Sequence, residues 1–157
     1  MDDKEFEFTR IVKENKGTVF TVCYMFSKDD DEVNDMFQEV LVNLWKGFGS
    51  FKGESKVETW IYRVALNTCI SMERKKKRRG KSVPLSMEAN LYLDRDTKSL
   101  QIRQLHKRIQ KLGVIDRAIV LMWLEDMSYE EIADVIGITA QNVGVKLHRI
   151  KEELKNQ

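Results

Sequence analysis

The chain has 157 residues, of which 42% are hydrophobic, enough for one ordinary domain or two small ones with a real core. Its net charge of +2 hides a segregation: residues 1–45 hold 5 basic and 11 acidic groups, residues 46–81 hold 11 and 3, and residues 82–157 hold 11 of each. The balance excludes a uniformly basic or acidic chain and points to two partners of opposite character.

One proline and eight glycines, with no stretch alternating cleanly at period two, predict an all-α fold. The first helix is expected from about Asp3 to Phe26, with Phe8, Ile11, Val12, Val19, Val22, Cys23 and Phe26 apolar and a bend at Gly17. Asp29 and Glu32 have capping spacing, and an acidic first turn suits the dipole of a second helix with the stripe Val33, Phe37, Val40, Leu41, Leu44 and Trp45. The glycine-punctuated segment KGFGSFKGES, from Lys46, reads as a loop. Ser55 and Glu58 then form a capping box for a third helix, whose apolar face carries Val57, Trp60, Ile61, Val64 and Thr68. On its other face Arg63, Asn67, Ser71, Lys75 and Arg78 line up at near four-residue spacing, so the basic run of 75–79 continues a polar stripe.

Periodicity fades from Arg79 to about Lys98, where Ser82, Pro84, Ser86 and Asn90 mark a linker able to reach roughly 60 Å. The predicted architecture is two small helical domains on a tether: residues 1–79, a linker over 80–98, and residues 99–157. The second domain opens with helices near Ser99–Leu112 and Asp116–Leu124. MSYEEIADVIGITAQNVGVKLHRIKEELK follows and has the marks of a helix-turn-helix: a Ser128–Glu131 capping box, small Ala133, Gly137 at the turn, Ile138 in the core and Thr139 as the next cap. In the last helix Val143, Leu147, Ile150 and Leu154 face inward, leaving Gln141, Asn142, Val145, Lys146 and Arg149 outward. Amides and cations suit base edges and phosphates, and an exposed valine suits a thymine methyl. A solvated helical hairpin is the plainer alternative, and His148 is either part of that face or a rim residue.

The loop from Phe51 and the first turns of the third helix combine aromatic, basic and amide groups, a mixture that holds single-stranded nucleic acid. Trp60 falls on the apolar face and is assigned to the core, whereas Phe51 and Asn67 are the better ligand-binding candidates. The acidic second helix would repel a polyanion, so its Asp35, Gln38, Glu39 and Asn43, expected to be exposed, are assigned to docking a protein with a basic or amide-lined surface. Cys23 and Cys69 each lie in an apolar helical pattern without a second ligand at metal spacing, and read as buried reduced thiols of a cytoplasmic protein. The acidic N-terminus lacks a signal-peptide core, and no apolar run approaches the roughly 20 residues of a membrane span.

The segment from Asp35 to Arg79, DMFQEVLVNLWKGFGSFKGESKVETWIYRVALNTCISMERKKKRR, followed by SYEEIADVIGITAQNVGVKLHR, resembles an extracytoplasmic-function sigma factor of bacterial RNA polymerase over nearly the whole chain. The resemblance implies that Asp35, Gln38, Glu39 and Asn43 bind core polymerase at its beta-prime clamp, with a second contact to the beta flap. It implies that Phe51, Lys52, Gly53, Arg63, Asn67, Arg74, Lys75 and Arg78 engage the −10 element, a flipped base of its melted single strand entering the loop. Thr139, Gln141, Asn142, Val145, Lys146, His148 and Arg149 would read the double-stranded −35 element. An anti-sigma factor is a further partner that the resemblance allows. Family members commonly place a basic and a small polar residue where this chain has Gly144 and Val145, which shifts the expected −35 readout toward Lys146, Arg149 and the helix N-terminus.

No Ser/His/Asp or Cys/His set occurs and the acidic pairs lack metal spacing, so neither catalysis nor a cofactor is expected. The competing reading is a helix-turn-helix regulator that binds symmetric duplex sites without polymerase.

Overall fold

The computed structural model describes residues 2–51, 53, 56–79 and 100–157, with the side chains of 77–79 and 102 excepted. Those residues form helices, as the sequence predicts. The first is shorter than expected: α1 spans Asp3–Glu14 and α2 spans Lys16–Phe26. The break falls at Asn15, not Gly17. Asn15 is buried, its Nδ2 donates to Ile11 O at 2.9 Å, and its backbone N–H is shared between Ile11 O and Val12 O at 3.2 Å each. An asparagine amide competing for helical carbonyls ends the turn more effectively than a solvent-facing glycine.

α3, Asp30–Phe48, starts where Asp29 Oδ1 accepts the Glu32 N–H at 2.9 Å. It runs through Lys46 and Gly47, which the sequence assigned to a loop. Packing overrides propensity there: a Cβ on Gly47 would lie 3.3 Å from the Trp60 ring, so the bare helix surface is what admits that indole. Trp45, expected in the buried stripe, is instead 40% exposed, with Phe8 edge-on at 5.1 Å and Lys4 Nζ 4.7 Å from its ring.

α4, Val57–Arg79, packs against both α2 and α3. Its buried set is Ile61, Tyr62, Ala65, Leu66, Thr68, Cys69, Ile70 and Glu73; of the expected face Ile61 and Thr68 are among them, whereas Val57, Trp60 and Val64 are half-buried. Ser55, proposed as its cap, lies outside the described residues, as does the 80–98 linker.

α5, α6, α7 and α8 span Leu100–Gln110, Val114–Leu124, Tyr129–Ile136 and Ala140–Lys155. Ile109, Ile119, Met122, Ile132, Val143, Leu147 and Ile150 make the core of this group, and α6, α7 and α8 pack on one another. Arg117 is a buried cation the sequence did not flag; its guanidinium donates to Leu112 O at 3.0 Å and Gln110 O at 3.3 Å, where the C-terminal carbonyls of α5 need donors. The chain divides into two compact units, one holding α1–α4 and the other α5–α8.

Candidate nucleic-acid interface

α7 and α8 have the local chemistry of a helix-turn-helix. Ser128 Oγ accepts the Glu131 N–H and Glu131 Oε1 accepts the Ser128 N–H, both at 3.1 Å, closing the capping box. Gly137 ends α7 with φ 84°, a left-handed backbone suited to glycine. Thr139 Oγ1 then accepts the Asn142 N–H at 3.1 Å and starts α8. The inward residues Val143, Leu147 and Ile150 are buried, with Leu154 half-buried near the end. Thr139, Gln141, Asn142, Val145, His148 and Arg149 are exposed and Lys146 is half-exposed. His148 thus belongs to the open side of α8. From Thr139 to Lys151 the chain has three cations and no carboxylate, so these turns of α8 hold no charge that would repel a duplex.

In the first unit Arg63, Asn67, Ser71, Arg74 and Lys75 are exposed along one side of α4. Lys76 departs from that basic run: its Nζ meets Glu32 Oε2 at 2.7 Å, neutralised by the acidic start of α3. Arg78 and Lys52 have side chains outside the described residues. Gly53 is exposed with φ 73°. Phe51 is half-buried on Trp60, their ring centroids 4.9 Å apart, and Trp60 in turn tilts against Phe48 at 6.5 Å. Phe8 adds a fourth ring 5.4 Å from Phe48, so α1 braces the root of the loop. An open groove of about 620 Å³ lies between them, with Phe48, Phe51 and Val57 on one side and Lys4, Glu7 and Arg10 on the other. The sequence reading missed α1 here; Phe8 was visible only as one more apolar position.

On α3, Gln38 and Glu39 are exposed as expected. Two corrections apply. Asp35 is half-buried, and its carboxyl is raised above the usual range, first by burial and then by the charges of Asp31, Asp29 and Glu32. Asn43 is also half-buried, with its amide donated to Thr68 Oγ1 at 2.9 Å, because α4 packs directly beside that turn.

The family model for sigma-70 region 2 matches residues 11–79, and that for sigma-70 region 4 matches residues 102–154. The chain belongs to the sigma-70 family. RNA polymerase sigma factor YlaC of Bacillus subtilis (strain 168) is 30% identical over 145 residues, covering 84% of this chain and 82% of that protein. The extracytoplasmic-function sigma factor SigW of the same organism is 29% identical over 164 residues, covering 96% and 88%. The fold matches that of the sigma factor RpoE from Bartonella quintana, solved with the anti-sigma factor NepR, at a TM-score of 0.76 and 19% identity over 96% of this chain and 95% of that one.

The chain is thus an extracytoplasmic-function sigma factor, and its function is promoter-specific transcription initiation. Sigma factors are non-enzymatic regulators that bind core RNA polymerase and promoter DNA. Among the described residues of this sigma factor no helix is long and apolar enough to cross a membrane, and no group of three or more His, Cys, Asp or Glu is placed to hold a metal ion.

Proposed function

We infer that this sigma factor divides its work between residues 1–79 and 99–157, joined by a linker over 80–98. Gln38 and Glu39, with Asp35 beside them, dock the beta-prime clamp of core polymerase, and Asn43 holds that helix in place. The second unit would meet the beta flap while α8 reads the −35 duplex through Thr139, Gln141, Asn142, Val145, Lys146, His148 and Arg149. Phe51, Lys52, Gly53, Arg63, Asn67, Arg74, Lys75 and Arg78 engage the −10 strand. Unstacking costs a few kcal/mol per base, offset where a pocket accepts the extruded base. Melting is then driven by binding, and the chemistry belongs to the polymerase.

The observation that carries this assignment is the side of α4 on which Arg63, Asn67, Ser71, Arg74 and Lys75 stand exposed. A solitary duplex-binding regulator has no use for that stripe or for Gln38 and Glu39. The protein acts in the cytoplasm, where its polymerase and promoters are. An anti-sigma factor is a natural regulator, since the similar RpoE was solved with one.

Run-off transcription on fragmented bacterial DNA with sigma-free core polymerase, with and without this protein, tests the assignment. Start sites that require the protein, share two upstream elements and fade with Asn67→Ala are expected. No new starts, together with tight binding of the protein alone to a palindromic duplex, would replace it with the solitary regulator.

A further inference from the structure

Tyr129 and Gly144 meet across the helix-turn-helix. Tyr129 is the first residue of α7 and is 41% exposed. Its Cε2 lies 3.4 Å, and its Cδ2 3.8 Å, from the point where a Cβ of residue 144 would stand. Glycine is the poorest helix former after proline, yet it occupies the interior of α8. A Cβ at this position would stand in van der Waals contact with the ring. Successive helical residues step by about 100°, so Gly144 sits at the edge of the outward side, between buried Val143 and Val145, which is 51% exposed. The phenol ring therefore borders the outward surface where α8 itself presents no side chain.

We propose that Tyr129 is a specificity-determining residue: with Val145 it reads thymine in the −35 duplex, its ring lying against the bare backbone of Gly144 at the border of that surface. The proposal rests on α8 being the −35 reader. Its occupant is argued from charge and polarity. Tyr129 and Val145 are apolar surfaces at an otherwise polar side that carries Lys146 and Arg149, and the 139–151 segment has no carboxylate to repel phosphate. In a major groove the apolar feature of a base pair is the thymine C5 methyl. Exposed apolar groups at such a surface are matched by methyls and by little else in duplex DNA.

Replacing each −35 thymine by deoxyuridine, one at a time, in a mapped promoter removes the methyl and nothing more. With the full chain and core polymerase, run-off transcription is expected to fall about fourfold at one or more positions, the worth of one methyl-sized group leaving water. Tyr129→Phe keeps the difference between thymine and uracil templates. Tyr129→Ala loses it at the position the ring borders. Equal transcription by the unmodified protein from both templates overturns the proposal, and that comparison needs no variant to fold. So does a −35 element without thymine, or a difference that survives intact in Tyr129→Ala. Scrambling the whole −35 element separates the two levels: if transcription drops on scrambling but not on uracil substitution, the −35 reading stands and this proposal falls; if scrambling has no effect, both fall.

Discussion

Asn43 donates its side-chain amide to Thr68 Oγ1 at 2.9 Å, a bond that ties α3 to α4 while the Thr68 hydroxyl donates onward to Val64 O at 2.7 Å. A residue on the helix proposed to meet polymerase therefore serves the fold first. Asn43→Ala is expected to lower the unfolding free energy by about 1 kcal/mol, the usual net worth of such a bond. The exposed pair, Gln38→Ala with Glu39→Ala, should stay within about 0.5 kcal/mol of the parent yet weaken core-polymerase binding. Urea titration and a core pull-down on the same samples check both. A larger binding loss from Asn43→Ala than from the pair would reverse the assignment.

Asp35 runs the other way, because it costs stability where it stands. Its folded-state carboxyl is raised above the ordinary 3.8 by burial and by Asp31, Asp29 and Glu32, so the folded chain holds that proton more tightly than the unfolded one. Stability from this group therefore declines as pH rises through the window above 3.8, and is penalised at neutral pH. Asp35→Asn should stabilise the protein at pH 7 by less than about 1 kcal/mol, given how much solvent still screens it. The gain should vanish once pH falls below the ordinary carboxylate range. Thermal melts at pH 7 and pH 3 read the difference, and a gain that persists undiminished in acid would rule out the electrostatic cause.

The helix-turn-helix was legible almost residue by residue, because Ser128, Glu131, Gly137 and Thr139 act on backbone groups within four positions of themselves. The same held for Asp29 and for the polar side of α4. What failed was whatever depended on a partner distant in sequence. Asn15 and Gly17 both look like helix interruptions, and only burial decides that the asparagine wins. Gly47 reads as a loop residue until the Trp60 ring is seen to need its bare surface. Lys76 looks like its neighbours in a basic run, but Glu32, 44 residues earlier, neutralises it. Trp45 has the right spacing for the core and the wrong neighbours, since α1 covers one edge of it and leaves the rest open.

Gly137 gives a clean test of the turn, since a Cβ there meets nothing within 4 Å and only the backbone objects. At φ 84° an alanine should cost about 1–2 kcal/mol, and an asparagine less. The thermal midpoint of Gly137→Ala should drop, and −35-dependent transcription should fall with it at temperatures near that midpoint. An unchanged midpoint would mean the turn relaxes to another conformation without penalty.

Cys23 and Cys69 are both free and fully buried, with sulfurs 4.0 Å apart between α2 and α4. The Cys69 thiol is pushed up, first by its hydrogen bond with Cys23 and then by burial, so the reactive thiolate is scarce as well as inaccessible. A thiol reagent at neutral pH is expected to label neither cysteine in the native protein and both in denaturant. Mass spectrometry after timed labelling checks this, and rapid double modification of folded protein would contradict the packing of these helices.

Asn67 stands exposed on α4 one turn from Arg63 and one turn from Ser71, while Leu66 and Thr68 on either side are buried. Nothing in the first unit's core depends on its amide, so truncation should leave folding and core binding as they are. If the amide holds an extruded −10 base, Asn67→Ala removes one base contact of about 1–3 kcal/mol, and open-complex formation should fall roughly fivefold or more. Permanganate reactivity of unpaired thymines in the promoter, measured beside core binding by the same sample, separates melting from docking. Normal melting in Asn67→Ala would remove the residue from the −10 site, and a matched loss of core binding would place its role in docking instead.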